Sequence, residues 1–312
     1  MGDKPARAVA VVVNWNGGAQ NQDCVASLLA QDLSESEIVF VDNGSVDGSA
    51  DEVQRRFPGV AMLRNAENLG FGEGANQGAR AALARGAETV FFVNNDVVLP
   101  PGALALLLQA LARDPKLGIV GPRVLYKHDP ELVWCAGGML TWRQNLSTLL
   151  GHREKDGPQW RTTREVDYVA GCALLARRET LEAVGLFDAQ FFAYMEDVDL
   201  CLRARRAGYG VLLVGEARAY HATSSATGGG YNPRRKYMMG VNSIWFLKQH
   251  ASAREWTRFL VYDVLSLPFL WLAGLFRGEG KAVVGKALGI VDGLRGKRVT
   301  SASIEKGSGW LW

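Results

Sequence analysis

Over its first 120 residues the chain alternates short, nearly unbroken apolar runs with segments of helical periodicity. Few sequence features restrict a fold more tightly. Strands are expected over 8–13, 38–41, 60–63 and 89–93, with another beginning at 119. Helices are expected over 22–31, 49–57, 74–85 and 102–113. Strands alternating with helices of this length form parallel βαβ units in a doubly wound α/β sheet. Strands covered on both faces carry continuous Val and Phe, as here, rather than an alternating pattern.

The pattern changes after about residue 121. Short hairpin-like strands are expected over 124–126 and 133–136, followed by a charged, glycine-rich loop over 151–164, expected to be mobile. The stretch 166–175 reads as extended, 179–184 and 196–207 as helical, and 211–214 as a strand. Beyond Pro233 the chain reads as mostly helical to about 293. Residues 300–312 are small and polar with a Trp-Leu-Trp end, and are expected to be loosely ordered. This divides the chain into an α/β piece, 1–230, with halves at 1–120 and 121–230, and a helical piece, 231–312.

Composition removes several function classes. The 35 basic and 32 acidic residues leave a net charge of +3, too balanced for a nucleic-acid binder, and no nucleic-acid recognition motif is present. Cys24, Cys135, Cys172 and Cys201 are too scattered for a zinc site or a disulfide framework, so reduced thiols and a cytoplasmic setting are expected. The N-terminus runs into the first strand with no signal-peptide pattern. The longest uncharged apolar run, 264–276, holds 13 residues with Pro268 and Gly274, against roughly 20 for a spanning helix, so no crossing of a membrane is expected.

Chemistry gathers at the strand ends. The first strand finishes in Asn14-Trp15-Asn16-Gly17-Gly18 and the second in Asp42-Asn43-Gly44-Ser45. After the third comes Asn65 to Gly72, containing Asn68-Leu69-Gly70-Phe71, and the fourth ends in Asn94-Asn95-Asp96. Turn and cap chemistry accounts for any one cluster. Four in succession share one edge of a parallel sheet, where open α/β sheets place ligands. In an extended chain Asn94 and Asp96 point the same way and offer oxygens to a cation carrying a diphosphate. Gly70, Gly72 and Gly74 allow close approach of backbone to a ligand. A dinucleotide fold is disfavoured, because Gly-x-Gly-x-x-Gly does not follow the first strand, and a P-loop is absent.

Two later segments add ionisable groups. Phe191 to Leu200 places Glu196, Asp197 and Asp199 at the start of a helix. Acids there complement the helix dipole, which favours the carboxylate form, and such a carboxylate can accept a proton. His221 ends a short strand, ahead of Ser224, Ser225 and Gly228-Gly229-Gly230, and is a candidate ligand to a metal or a diphosphate.

With these motifs in order over about 9–221, the chain resembles the family 2 glycosyltransferases, inverting nucleotide-sugar enzymes of GT-A fold. The matching pieces are Val11 to Gly17, Val41 to Ser45, Asn68 to Phe71, Asn76, Asn94 to Asp96, Gly171-Cys172, and Glu196 to Arg203. Asn-Trp-Asn-Gly and Asn-Asn-Asp make it similar to the bacterial rhamnosyltransferases of cell-wall and O-antigen assembly. The resemblance implies that Asn14, Asn16, Asp42, Asn43, Asn68, Gly70, Phe71, Asn76, Asn94 and Asn95 line a nucleotide site. It implies Mg²⁺ or Mn²⁺ on the donor diphosphate, with Asp96 and His221 as ligands; Asn94 replaces the first acid of the usual Asp-x-Asp. Asp197 would be the general base, with Glu196 positioning acceptor or donor. Gly171, Cys172 and Trp134 would line the sugar and acceptor site.

The implied partners are a nucleotide-sugar donor, dTDP-rhamnose above all, and a glycan or lipid-linked acceptor. Processive relatives resemble one another in a Gln-x-x-Arg-Trp motif and several spanning helices, which this chain lacks, so transfer of one or a few sugars is expected. Two other classes compete. A sugar-1-phosphate nucleotidyltransferase would need an Arg-containing loop at 14–18, which holds no Arg. A non-catalytic nucleotide-sugar or membrane-binding partner of an assembly complex has no need to retain all the acids. In the last third, aromatic and apolar residues over 259–276 adjoin six basic residues within 277–298. That suits docking at the inner face of the cytoplasmic membrane, or equally a helix packed on the catalytic domain or in a homodimer contact.

Overall fold

The computed structural model describes residues 7–223 and 231–305. The predicted Ser224, Ser225 and triple-glycine loop and the Trp-Leu-Trp end lie outside the described residues. In the first half, β1 (Ala8–Asn14), β2 (Ile38–Asp42), β3 (Ala61–Arg64) and β4 (Thr89–Asn94) alternate with α1 (Gln20–Leu29), α2 (Ser49–Arg56) and α3 (Phe71–Ala84). The two-residue β5 (Val97–Val98) and α4 (Ala103–Arg113) follow. The second half holds β6 (Leu117–Tyr126), β7 (Val133–Cys135), β8 (Gly138–Leu140), β9 (Ser147–Leu149), α5 (Pro158–Arg161), β10 (Arg164–Glu165) and β11 (Ala173–Arg177). It continues through α6 (Arg178–Val184), α7 (Glu196–Arg206) and β12 (Gly210–His221). The C-terminal helices are α8 (Pro233–His250), α9 (Ala253–Phe259), α10 (Leu267–Arg277), α11 (Gly280–Leu294) and α12 (Ser301–Ile304).

The main sheet runs β10-β12-β6-β11-β4-β1-β2-β3, with β5 on β12 and β7 on β6. Strands β4, β1, β2 and β3 are parallel throughout. Beyond β4 the sheet becomes mixed, because β11 enters antiparallel between β4 and β6. That reversal positions the site: the start of β11 lies beside the end of β4, with Ala173 opposite Val93. Residues just before β11 therefore reach the edge where the parallel strands finish.

Alternation along the central strands feeds two cores. In β1, Val9, Val11 and Val13 face one side with α3, α7 and α8, while Ala8, Ala10 and Val12 face the other with α1, α2 and α4. In β4, Val90 and Phe92 join the first core, and Phe91 and Val93 the second. Both faces are covered, as the unbroken apolar runs require. The four cysteines are buried and free.

Several boundaries differ from the sequence reading. Residues 119–120 and 124–126 are one strand, β6, running through Pro122. Proline is tolerated there because the pairing with β12 shifts register between Val214 and Arg218, opposite Pro122 and Arg123, and a bulge needs no ladder donor. Likewise 211–214 and the strand ending at His221 are one twelve-residue strand carrying that bulge. The extended stretch expected over 166–175 is interrupted before β11, leaving Gly171 and Cys172 in irregular backbone. The loop over 151–164 is tied down. Arg153 and Glu154 exchange backbone hydrogen bonds with Val133, and the Asp156 carboxylate pairs with buried Arg123 at 3.1 Å.

The greatest difference lies near the C-terminus. Helix α9, a π-helical turn over Leu260–Val264, and α10 form one 25-residue helix, Ala253–Arg277, long and apolar enough to cross a membrane. Counting uncharged residues stopped the run at Asp263, but that carboxylate is buried and paired with Lys286. Pro268 does not break the helix either, because it sits in the first turn of α10, where a missing N–H is cheapest.

Candidate functional site

Asn14 is the hub of the strand-end edge. Its side-chain N–H groups donate to Asp42 Oδ1 at 3.1 Å, Ser45 Oγ at 3.0 Å and Ser49 Oγ at 3.1 Å. Its Oδ1 accepts from the Gly17 amide and from Asn95 Nδ2, both at 3.0 Å. Asn95 also donates to Asn21 Oδ1 at 2.8 Å. Three strand ends are thus cross-linked by side chains that are almost wholly buried. Gly17 is required at the centre: a Cβ there would lie 2.0–2.6 Å from Asn95, Asn21 and Asn14. Asn16 is exposed, has φ +52, and accepts from the Val46 amide at 2.9 Å. Sequence reading missed Asn21, Ser45 and Ser49 as members of this network; only their nearness to the strand ends marked them.

Asn43 and Asn76 have a different task. Asn43 donates to Asn68 Oδ1 and the Gly70 carbonyl, and accepts from Asn65 Nδ2 and the Leu69 amide. Its amide is consumed in shaping the 65–70 loop. Asn76 brackets Phe187, donating to its carbonyl at 2.8 Å and accepting from its amide at 3.0 Å. Gly70 has φ +86, and a Cβ there would meet the Phe192 carbonyl at 2.5 Å. The next amide, of Phe71, donates to that carbonyl at 2.6 Å. The loop before α3 is therefore stitched to the segment before α7.

Asp96 follows β4 in a turn, so Asn94 and Asp96 do not share one extended stretch. The turn is nonetheless buried, with Asp96 and Asn95 both below a tenth exposed. His221, at the end of β12, brings Nε2 to 3.0 Å from Asp96 Oδ1. Trp134 stands edge-on to the His221 ring at 4.6 Å between centroids. The register places this: β5, which begins at the residue after Asp96, pairs antiparallel with β12 so that Val97 faces His221.

The acids arrive on a strained corner. Tyr194 and Met195 have φ of +73 and +76, a region costly for bulky side chains. The corner is held from α8, where buried Asn242 donates to the carbonyls of Ala193 at 2.8 Å and Tyr194 at 2.9 Å. Glu196 and Asp197 then open α7. The Gly171 and Val198 amides donate to the two Asp197 carboxylate oxygens, each at 2.8 Å. A Cβ on Gly171 would approach Asp197 Cβ to 3.0 Å. Cys172 accepts from the Asn94 amide at 2.9 Å. A short path thus leads from Asp197 through Gly171 and Cys172 to Asn94, and one peptide further to Asn95 and Asp42's network. Asp199 turns away from this path, to Arg203 and to His250 Nε2 at 2.7 Å.

The electrostatics separate the two neighbouring acids. Burial drives the Glu196 carboxyl well above the usual range, and the charge of Asp197 adds to the rise. Burial also raises Asp197, but the Gly171 and Val198 amides oppose it. Asp197 is the more solvent-open of the two and holds two amides, so burial raises Glu196 further than Asp197. Desolvation here works against the helix dipole, which favours the carboxylate form. Cys172 lies within electrostatic reach of both Asp96 and Asp197; burial raises its thiol well out of the reactive range.

The buried atoms along this edge without a hydrogen-bond partner among the described residues include His221 Nδ1, Asn94 Oδ1, Asn21 Nδ2 and Glu196 Oε2. Among the described residues, no group of three or more His, Cys, Asp or Glu side chains is placed to hold a metal ion. The Asp96 carboxylate suits a hard cation that takes its remaining oxygens from a diphosphate and water, and the His221 imidazole nitrogen stands 3.0 Å from that carboxylate.

The architecture is of the GT-A class. The structure of GalNAc-T7 with UDP, GalNAc and Mn²⁺ aligns with a TM-score of 0.59 at 16% identity, over 78% of this chain and about half, 51%, of that one. The mannosyltransferase PcManGT of Pyrobaculum calidifontis, in complex with GDP-Man and Mn²⁺, aligns with a TM-score of 0.56 at 15% identity, over 95% and 89% of the two chains.

Residues 5–239 match the glycosyltransferase-like family 2, and the chain belongs to that family. It is 32% identical over 241 residues to the N-acetylglucosaminyl-diphospho-decaprenol L-rhamnosyltransferase of Mycobacterium tuberculosis, covering 70% of this chain and 76% of the relative. An O-antigen biosynthesis protein of Myxococcus xanthus is 29% identical, over 69% of this chain but only 17% of that longer protein. The chain is a glycosyltransferase resembling the rhamnosyltransferases within its family.

Proposed function

We propose that this chain is an inverting, divalent-cation-dependent rhamnosyltransferase. It would move L-rhamnose from dTDP-rhamnose to a lipid-linked or glycan acceptor during bacterial cell-surface polysaccharide assembly, on the cytoplasmic side. The M. tuberculosis relative, whose name specifies a rhamnosyl transfer to a diphospho-decaprenol acceptor, supports the sugar and the acceptor class. The observation that carries the catalytic reading is the Asp197 carboxylate, fixed by two amides beside the end of β4.

In this reading the parallel half, 1–120, binds the donor nucleotide. Asp42, Asn16, Asn94 and Asn95 form its polar floor, while Asn14, Asn43 and Asn76 shape that floor from behind. The loop of Asn68, Gly70 and Phe71 forms one wall. The half over 121–230 presents Gly171, Cys172 and Trp134 to the sugars, and 231–312 is a helical extension. The acceptor hydroxyl attacks the anomeric carbon from the face opposite the diphosphate, and the bond from that carbon to the diphosphate oxygen breaks. The hydroxyl proton passes to Asp197. One displacement needs one base and inverts the anomeric centre. Glu196 positions the acceptor or the donor sugar. Asp96 and His221 would hold Mg²⁺ or Mn²⁺, which would supply Lewis-acid neutralisation of the leaving diphosphate.

Replacing Asp197 by Asn should lower transfer by roughly 10²–10⁴-fold, the usual contribution of a general base, and leave nucleotide affinity intact. Isothermal calorimetry with dTDP beside a transfer assay tests this, and unchanged turnover refutes the base. Thermal-shift screening of nucleoside diphosphates and their sugars, with and without Mg²⁺, tests the donor. The largest stabilisation is expected from dTDP-rhamnose with metal. A larger response to a UDP- or GDP-sugar overturns the sugar assignment alone.

A further inference from the structure

Helix α10 has the composition of a buried helix and almost no cover. Its sequence Leu267-Pro-Phe-Leu-Trp-Leu-Ala-Gly-Leu-Phe276-Arg277 is apolar on every side, yet Gly274 is its one buried residue. A helix that is hydrophobic all round belongs in a core or in lipid. Leu265, Phe269, Leu272 and Phe276 form a stripe at helical spacing, exposed by 64, 74, 52 and 93%. Leu275 and Trp271, off that stripe, are also exposed.

The preceding part of the same helix is held by protein on one face. Phe259 is wholly buried, and Asp263 pairs with Lys286 of α11 at 2.5 Å. The other Asp263 oxygen accepts from the Asn145 amide at 3.0 Å, in the loop between β8 and β9. Leu260, Val261 and Tyr262 are nonetheless exposed by 48, 47 and 47%, so the uncovered stretch runs over 260–276, broken on one face by Asp263. At 1.5 Å per residue it is about 26 Å long, short of the ~30 Å hydrocarbon core of a bilayer, and the buried Asp263–Lys286 pair ties its first turn to α11. Beyond it Gly278, at φ +71, caps the helix and turns the chain back into α11. Arg254 and Arg258 precede the apolar stretch, and Arg277 and Lys281 follow it.

We propose that residues 260–276 form a monotopic docking surface for an anionic phospholipid bilayer. The helix lies in the headgroup–acyl boundary, with the flanking arginines and Lys281 at the phosphates. A second copy of the chain would cover one face of α10, whereas the exposure extends round most of it, as immersion requires. The proposal deepens the reading of a lipid-linked acceptor, since it places the enzyme on the surface that carries such acceptors.

The test is flotation of the full-length chain with phosphatidylcholine vesicles, with and without phosphatidylglycerol. The wild-type chain should float with the anionic vesicles at low salt and less at high salt. Phe269→Glu with Leu272→Glu, both exposed in the fold, should reduce binding roughly tenfold or more. Arg277→Gln with Lys281→Gln should abolish the preference for phosphatidylglycerol. The thermal shift given by dTDP, measured without vesicles, should be unchanged in both pairs. Absence of flotation at low salt, or flotation of the glutamate pair equal to wild type, overturns the proposal. So does a wild-type dimer in light scattering that the glutamate pair converts to monomer without any vesicle binding. Failure of the rhamnosyl reading would appear separately, as loss of the donor shift with flotation intact.

Discussion

At the scale of single residues, Glu196 and Asp197 show how position divides labour between like groups. They are adjacent in sequence and share a helix start, yet two amides support Asp197 and none supports the buried Glu196 Oε2. Two pH effects follow. Because burial raises Asp197, the acid limb of kcat/KM should lie above the ordinary Asp value of ~3.9, with activity rising as pH rises through the shifted value. A limb at or below that value, in rates measured with saturating metal, would rule out Asp197 as the titrating base. The stability effect has the opposite slope. A carboxyl raised on folding holds more protons in the native than in the unfolded state. Its contribution is therefore present below the unfolded pKa and is lost as pH climbs towards the raised folded value. Glu196→Gln should remove that decline, so its melting temperature should exceed wild type most at neutral pH and least at acid pH. The residues at strand ends were legible because an apolar run ending in polar side chains marks a ligand edge in any open α/β sheet. That Asn14, Asn43 and Asn76 all spend their amides inside the protein was not legible. A ligand-facing amide and one that pins a loop or a strand end are written with the same letter, and only the hydrogen bonds tell them apart.

At the scale of elements, the corner before α7 and the helix α8 behave as one device. Tyr194 and Met195 occupy left-handed backbone without glycine's freedom, and Asn242 holds the corner through two carbonyls. Strain of this kind persists only where the surroundings enforce it. Asn242→Ala should let the corner relax and misplace Asp197. The expected result is kcat lowered about tenfold or more with the KM for donor little changed, because positioning error falls on the transition state. Stopped assays at several donor concentrations separate the two constants, and Asn242→Asp, which loses the donor N–H groups, should behave like Ala. A proportional rise in KM would instead place Asn242 in donor binding. Sequence reading identified α7 and its acids but not the corner, because no glycine announces the turn. It also judged α8 only as part of a helical tail. The partner that orders the corner is some 48 residues away, and no local pattern carries that contact. The antiparallel entry of β11 was equally invisible, and it is what brings Gly171 and Cys172 to the end of β4.

At the scale of the whole molecule, the question is whether 1–230 can stand without 231–312. A break there follows the change in composition, but the packing crosses it. Ile244, Phe246 and Leu247 of α8 belong to the same core as Val9, Val11 and Phe92 of the central strands, and Phe246 is wholly buried. His250 closes on Asp199, which has no exposure at all, and Asp199 also pairs with Arg203. Removing α8 would uncover apolar side chains worth ~1.5–3 kcal/mol each when fully buried. It would also leave Asp199 without one of its two partners. Natural domains have only 5–15 kcal/mol in hand, so losses at three or more such positions use up most of the margin. A chain ending after residue 230 should therefore be insoluble or lack a cooperative melting transition. One ending after residue 252 keeps α8 and His250 but loses Phe259 and α11, which cover the other side of α8, and should melt well below the full chain. Lys286→Met in the full chain gives an independent measure. It strands buried Asp263, a change that typically costs 3–5 kcal/mol, and should lower the denaturant midpoint while leaving the corner at Tyr194 and Met195 intact. If the 230-residue chain instead unfolds cooperatively with donor affinity retained, α8 is an accessory, and the link drawn here between Asn242 and the catalytic acid falls with it.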